Sequence, residues 1–445
     1  MRIRKRVLSV GVLALGTAIA LSGCSGGGSS AKSTSSGSAT GTVTISGAFT
    51  GAQGTAFQND LNAWSKGTGI TVQYSGSSSF QTSIVTQVKG GNTPDIAIFP
   101  APGVLQSLIS QGMIPLDDLV NVKSIESDEP SAKGIVSTQY QGKTYGLPYN
   151  INIKSLVWYD PAAFKKAGLT VPTTDAQLQS VSKTIISKNL GYPWCAGIAA
   201  TGANGWPMTD WLEQYVLDYG GETTYNNWIS HKVLFNSPVV KEAANKVASM
   251  LFQPGEVNGG QKAIASSNFQ TVGNNLFVSG KAKGQCFMMK QGSFITGFFP
   301  TSIQNQITKG DLTNVNAFVL PSPKGGNPPV EGGGDLVAAF HNTPAVKKVV
   351  AYLVGKDFGS HGYAKQWNAS LNPHTSFDAS LYGTPFQKLY AGILKNSSVF
   401  VFDASDQMPG AVGSGTEWTN LTQWTAGQQS LQSALSAIDQ SWPSS

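Results

Sequence analysis

Between Pro193 and Tyr215 the chain reads PWCAGIAATGANGWPMTDWLEQY, a run that sets Trp194, Trp206, Trp211 and Asp210 close together. Indole faces pack on the C–H faces of sugar rings, and a carboxylate accepts hydrogen bonds from hydroxyl groups, so this combination suits a polyhydroxylated ligand. A plainer alternative is a core helix from Thr209 that buries Trp211, Leu212 and Tyr215. Trp206, on the Gly205-Trp206-Pro207 turn, is the indole least easily explained as core.

Other chemistries lack their residues. His231, His341, His361 and His374 are the only histidines, and none pairs with another at metal-ligand spacing. There is no G-x-S-x-G elbow, and Gly332-Gly333-Gly334 lacks the Lys-Ser/Thr of a phosphate loop. No cofactor and no metal are expected. One enzymatic alternative stays open, a glycoside hydrolase drawing two carboxylates from Asp95, Asp210, Glu331, Asp335, Asp403 and Asp406. Hydrolysis needs two of them across a glycosidic oxygen, one held protonated; binding needs no such separation.

The composition limits the partners. Apolar residues make up 40% of the chain and charged ones only 12%, which suits a sizeable core under a polar, weakly charged surface. Setting aside Arg2, Arg4, Lys5 and Arg6 leaves 26 basic against 24 acidic residues, too near neutrality for a nucleic-acid binder.

Those four basic residues precede an apolar stretch, Val7 to Leu21, too short to be a stable span. Residues 1–23 are expected to be a signal peptide. Leu21-Ser22-Gly23-Cys24 resembles a bacterial lipobox, so Cys24 is the expected lipidation site. The Gly/Ser/Thr-rich residues after it, to Gly41, form a tether with nothing to bury. Cys195 and Cys286 then remain as an even pair in an oxidising exterior, and a disulfide is expected; two buried thiols are the alternative.

Strand and helix patterns alternate along the folded part. Thr42–Gly47, Gly69–Tyr74 and Asp95–Phe99 read as strands, with helical spacing between them and after Pro102. The alternation predicts a parallel sheet with ligand at the carboxyl strand ends, beside Phe49 and Phe99. Tyr145–Tyr159 and Val315–Pro321 read as extended chain crossings between two lobes. Near the end, Leu421, Trp424, Leu431, Leu435, Ile438 and Trp442 read as one long amphipathic helix, broken only at Gln428.

Several stretches together resemble the extracellular solute-binding proteins of ATP-binding cassette sugar importers, and more narrowly their α-glucoside binders. They are Pro94-Asp95-Ile96-Ala97-Ile98-Phe99-Pro100; Leu156-Val157-Trp158-Tyr159-Asp160 with Phe164-Lys165-Lys166-Ala167-Gly168; and Pro193-Trp194-Cys195 with Gly205-Trp206-Pro207 and Thr209-Asp210-Trp211. Further on come Gln291 with Ser293-Phe294-Ile295, Gly333-Gly334-Asp335, and Asp403-Ala404-Ser405-Asp406 with Met408-Pro409.

The resemblance implies an α/β, two-lobed periplasmic-binding-protein-like fold with a ligand cleft between the lobes and chain crossings at the hinge. Lobe 1 is expected to take residues 42–150 and about 325–368, and lobe 2 residues 151–324 and about 369–445. Asp95, Phe99, Trp206, Asp210, Trp211, Gly334 and Asp335 become ligand-binding candidates, with Phe49, Gln291, Asn372, Asp403 and Asp406 beside them. Where relatives carry a His-Arg pair, this chain has Met289-Lys290, and lysine is a point donor without arginine's fork. The implied function is non-enzymatic capture of an oligosaccharide by a monomer, lipid-anchored at the outer face of the cell membrane, for delivery to a permease; a sugar sensor with the same cleft is the other reading.

Overall fold

The computed structural model describes residues 39–443 apart from 130–134, 136, 137, 368 and 398. The signal segment, Cys24 and most of the tether lie outside these residues. The fold grows from two sheets. In the first, Gly41–Gly47 lies between Ile70–Gly76 and Ile96–Phe99, all parallel, as the β-helix-β spacing predicts. Its other side is finished by Leu336–Ala339 and Leu147–Pro148, both antiparallel to their neighbours. The sheet is therefore mixed and not wholly parallel, because strands returning from elsewhere in the chain complete it.

The second sheet runs Asn316–Val319, Leu156–Tyr159, Cys286–Lys290, Tyr192–Trp194, and only the last pair is parallel. A small third sheet joins Phe400–Phe402, Val330–Gly333 and Asn152–Ile153. It explains the two long extended runs. Tyr145–Tyr159 is not one strand; it passes from the first sheet at Leu147–Pro148 through the third at Asn152–Ile153 into the second at Leu156–Tyr159. The return run mirrors it, from Asn316–Val319 through Val330–Gly333 to Leu336–Ala339. Two lobes joined by chain crossings follow directly.

Each lobe has its own apolar packing. Ile45, Phe57, Leu61, Ile98, Val349 and Val350 meet around the first sheet. Around the second, Trp211, Leu212, Tyr215, Trp228 and Val247 form one cluster, and Trp158, Phe299, Phe386 and Tyr390 another. The long helix Trp206–Ile229 is buried over most of its first three turns, bends at Gly221 (φ 71°), and opens at Gly205, whose φ of 111° suits glycine. Trp206 is thus the first residue of a helix and not part of a free turn. The C-terminal apolar stripe divides into Trp418–Thr425 and Leu431–Gln440, because Gly427 (φ 71°) ends the first segment and Ser430 caps the second by accepting from the Ser433 amide.

Cys195 and Cys286 are bonded, with their Cα atoms 5.3 Å apart. The bridge ties the end of Tyr192–Trp194 to the start of Cys286–Lys290 across 91 residues of sequence. Replacing both cysteines by serine is expected to cost about 2–5 kcal/mol, read as a lower urea midpoint, with a steeper slope as the unfolded chain expands.

Candidate functional site

Lys154 lies between the crossing strand Asn152–Ile153 and the strand Leu156–Tyr159. Its side chain is only 8% exposed, so its ammonium needs partners. It donates to Asp210 Oδ1 at 3.1 Å and to Asp403 Oδ2, and Asp406 Oδ2 stands 3.9 Å away. Asp210 comes from the second turn of the long helix, and Asp403 caps the short helix Ala404–Gln407 by accepting from the Asp406 amide at 2.7 Å. One cation from a chain crossing thus joins two distant segments.

Glu213, three residues beyond Asp210 on the same helix, accepts from the amides of Ala404 (2.6 Å) and Ser405 (3.1 Å). Lys290 donates to the Asp210 carbonyl at 2.8 Å and lies 3.9 Å from Glu331 Oε2. Lys290 is therefore enclosed and occupied by the protein itself. One carboxylate oxygen each of Asp210, Glu331 and Asp403 lie within 4.8 Å of one another, a spacing a metal ion could use. Lys154 already supplies a positive charge there, bonding two of the three.

Acids outnumber bases in this interior, and their protonation follows from burial. Desolvation pushes Asp210 up to about 6 and Glu213 up to about 8, against the pull of Lys154. Burial raises Glu331, Asp406 and Glu417 well above the usual carboxylate range. Burial acts on Asp403 too, but the charge and hydrogen bond of Lys154 outweigh it and hold this group below its ordinary value.

The aromatic groups divide between surface and core. Trp206 is half-buried, with the Lys154 ammonium 5.6 Å from its ring centre, Phe269 edge-on at 4.7 Å and Phe294 at 5.7 Å. Trp194 and Trp211 are 1% and 4% exposed and meet edge-on at 5.2 Å, so these two indoles pack the second lobe and do not form an open wall with Trp206.

A second polar pair stands at the crossings. Asn150 Nδ2 donates to Asp335 Oδ2 at 2.8 Å, and the Asp335 amide donates back to Asn150 Oδ1 at 2.9 Å. Gly334 permits this approach, since a Cβ there would lie 2.2 Å from the Asn150 carbonyl oxygen. Desolvation lifts half-buried Asp335 to about 6. A narrow cavity alongside is lined by Tyr149, Asn150, Tyr363, Ser370, Asn372 and Tyr382. Asn372 itself is engaged locally, donating to the Phe358 carbonyl and accepting from the His374 amide.

Other expected ligand residues stand apart from the Lys154 group. Asp95 is at the amino end of Ile96–Phe99, accepting from the amide and hydroxyl of Thr44 and hydrogen-bonded to His341 Nδ1, all at 2.8 Å. The ligand was expected at the carboxyl end. Phe99 is fully buried against Phe80, and Phe49, at 7% exposed, stacks on Tyr74 at 4.6 Å. Gln291 turns its side-chain oxygen to the Gly292 amide, while its carbonyl accepts from the Trp158 indole.

Lys154, Glu213 and Asn150 belong to no motif that points to ligand binding. Lys154 did leave a signal: it is the only charged residue between Lys143 and Asp160 in an otherwise uncharged extended run. A lone buried lysine demands carboxylates.

Replacing Lys154 by methionine leaves Asp210 and Asp403 facing each other without their cation, and is expected to cost about 3–5 kcal/mol in denaturant unfolding. The pH dependence has a definite sign. Carboxylates raised in the fold contribute stability that is whole below about pH 4 and is lost as pH rises through their folded pKa values, about 6 for Asp210, Asp218 and Asp335 and about 8 for Glu213. Asp403 and Asp95, which are lowered, act oppositely, losing their contribution only as pH falls below the ordinary carboxylate range. Thermal midpoints should therefore fall from about pH 5 to about pH 8, and Asp218→Asn should flatten part of that fall; an unchanged slope in this variant would remove Asp218 from the account.

The chain matches the profile of the bacterial extracellular solute-binding proteins over residues 49–360. It is 32% identical over 403 residues to the osmoprotective compounds-binding protein GgtB of Synechocystis sp., covering 90% of this chain and 92% of that protein. It is 31% identical over 414 residues to the alpha-glucosides-binding periplasmic protein AglE of Rhizobium meliloti, covering 91% of this chain and 87% of the other. Among solved structures, the bacterial solute receptor AcbH superposes with a TM-score of 0.71 at 15% identity over 90% of this chain and 97% of that one. RafE in complex with raffinose gives 0.67 at 17% identity over 91% and 99%; both likenesses speak for the fold alone. With two lobes joined by crossings and a profile that spans most of the folded part, the chain belongs to the family of bacterial extracellular solute-binding proteins.

Proposed function

We propose that this protein captures a neutral oligosaccharide, an α-glucoside, in the cleft between its lobes and delivers it to the permease of an ATP-binding cassette importer. The observation that carries the reading is the half-buried indole of Trp206 beside the Lys154, Asp403 and Asp406 row: a flat apolar face next to hydrogen-bonding groups. The near-full-length likeness to an α-glucoside binder supports the same ligand class. Asp406, 15% exposed, and Asp335, half-buried, are assigned as hydroxyl partners, with Asp210, Trp211 and Lys290 behind them.

The lobes are taken as residues 42–150 with about 325–368, and 151–324 with about 369–445, supported by the crossings at Asn152–Ile153 and Val330–Gly333. Closure on the ligand shifts an open–closed equilibrium that the permease reads. Outside the described residues, Cys24 is assigned as a lipid anchor that holds a monomer at the outer face of the membrane through the Gly/Ser/Thr-rich residues that follow it. A hydrolase is disfavoured because Asp210 and Asp403 share one ammonium and do not stand across an open gap.

Calorimetry with maltose, trehalose, sucrose, maltotriose and cellobiose tests this reading; heat from none of them would overturn it. Trp206→Ala is expected to weaken binding at least about 100-fold with little change in thermal midpoint, since the ring is only half-buried. Unchanged affinity with a large loss of stability would make Trp206 a core residue.

A further inference from the structure

Four large apolar side chains are conspicuously exposed among the described residues: Tyr140, Val171, Leu234 and Phe298. Phe298 alone continues the ring series that begins at Trp206. Its ring lies 5.8 Å from Phe269, nearly edge-on at 67°, and Phe269 in turn meets Trp206 at 4.7 Å. Phe298 is 37% exposed while Phe269 is 7% exposed, so the series passes from the half-buried indole to solvent over a buried support.

The position of the series in the fold gives it meaning. Phe298 ends the short 3₁₀ segment Ser293–Phe298. The first ring of that segment, Phe294, packs on both the first-lobe cluster and a second-lobe cluster. The residue before Phe298, Gly297, lies so close to Trp367 of the first-lobe cluster that a Cβ would be 2.6 Å from the indole. The exposed ring therefore stands beside contacts between the two lobes, which on the reading above is the rim of the cleft assigned to Trp206. A solvent-exposed phenylalanine costs apolar hydration unless it is covered part of the time, and a linear oligosaccharide leaving Trp206 toward solvent offers a C–H face for that purpose.

Resting on the α-glucoside reading above, we infer that Phe298, braced by Phe269, forms an outer subsite that stacks the third sugar unit of a chain whose inner units lie at Trp206. The protein is then tuned for ligands longer than a disaccharide, by ring stacking and without an added charge. Lengthening the ligand gains affinity only while the new unit reaches this ring.

The test compares matched pairs, maltose with maltotriose and sucrose with raffinose, by calorimetry on the wild type, Phe298→Ala and Phe298→Tyr. The wild type is expected to favour the longer member of at least one pair. Phe298→Ala should lose that preference, weakening the trisaccharide about tenfold and leaving the disaccharide unchanged, and Phe298→Tyr should restore it. Equal wild-type affinity within both pairs, or an alanine effect shared by both lengths, overturns the outer subsite and leaves the cleft reading standing. Absence of binding to all four sugars overturns the subsite, and absence of binding to trehalose and cellobiose as well overturns the cleft reading with it.

Discussion

A buried ammonium with three acidic neighbours is the constraint around which this molecule is arranged. Lys154 stands where the chain first passes from one lobe to the other, and its partners come from the start of the long helix and from the segment after the third-sheet strand Phe400–Phe402. Buried ion pairs give little net stability, since desolvation cancels much of the attraction. What this one supplies is placement. A charge that cannot be left unpaired fixes how three remote segments meet, and Trp206 begins the same helix that carries Asp210.

Around that point the remaining acids have one physical theme. Glu213, Glu331, Asp406 and Glu417 are enclosed with too few cations to match them, so burial raises them above the ordinary carboxylate range. Glycines make the close packing possible: Gly103, in the helix Pro102–Gln106 that follows the first-sheet strand Ile96–Phe99, approaches Met408 so closely that a Cβ would lie 1.8 Å from the Met408 carbonyl oxygen. The short acidic helix Ala404–Gln407 is thereby held against an element of the first lobe.

Much of the fold was legible in the residues. The three parallel strands, the helices between them, the crossings and the cystine all follow from apolar spacing, turn residues and an even cysteine pair. Sheet direction was not legible beyond the first three strands, because Leu336–Ala339 enters antiparallel after a return from the other lobe, a long-range event with no local signature. The C-terminal stripe read as one helix because apolar spacing continues across Gly427, whereas the left-handed backbone there divides it. Of the candidate site, Trp206 and Asp210 stand out by residue type, whereas Asp335, Asp403 and Asp406 enter through the family resemblance. Lys154 and Glu213 are not distinguished by residue type, since a single charge inside an apolar run reveals its purpose only when its partners are known.

Taken alone, the order of residues determined the compartment expected for the chain, the family it resembles and which side chains are chemically suited to a sugar. Tertiary structure decided which of those side chains share a place. Trp194 and Trp211 went to the core while Trp206, of the same chemistry and a few residues away, stayed half-buried; Asp95 went to the far end of its strand, to Thr44 and His341. The reason is that exposure and pairing depend on what the rest of the chain brings alongside. Local spacing can say which face of an element is apolar, but not which distant segment will cover it.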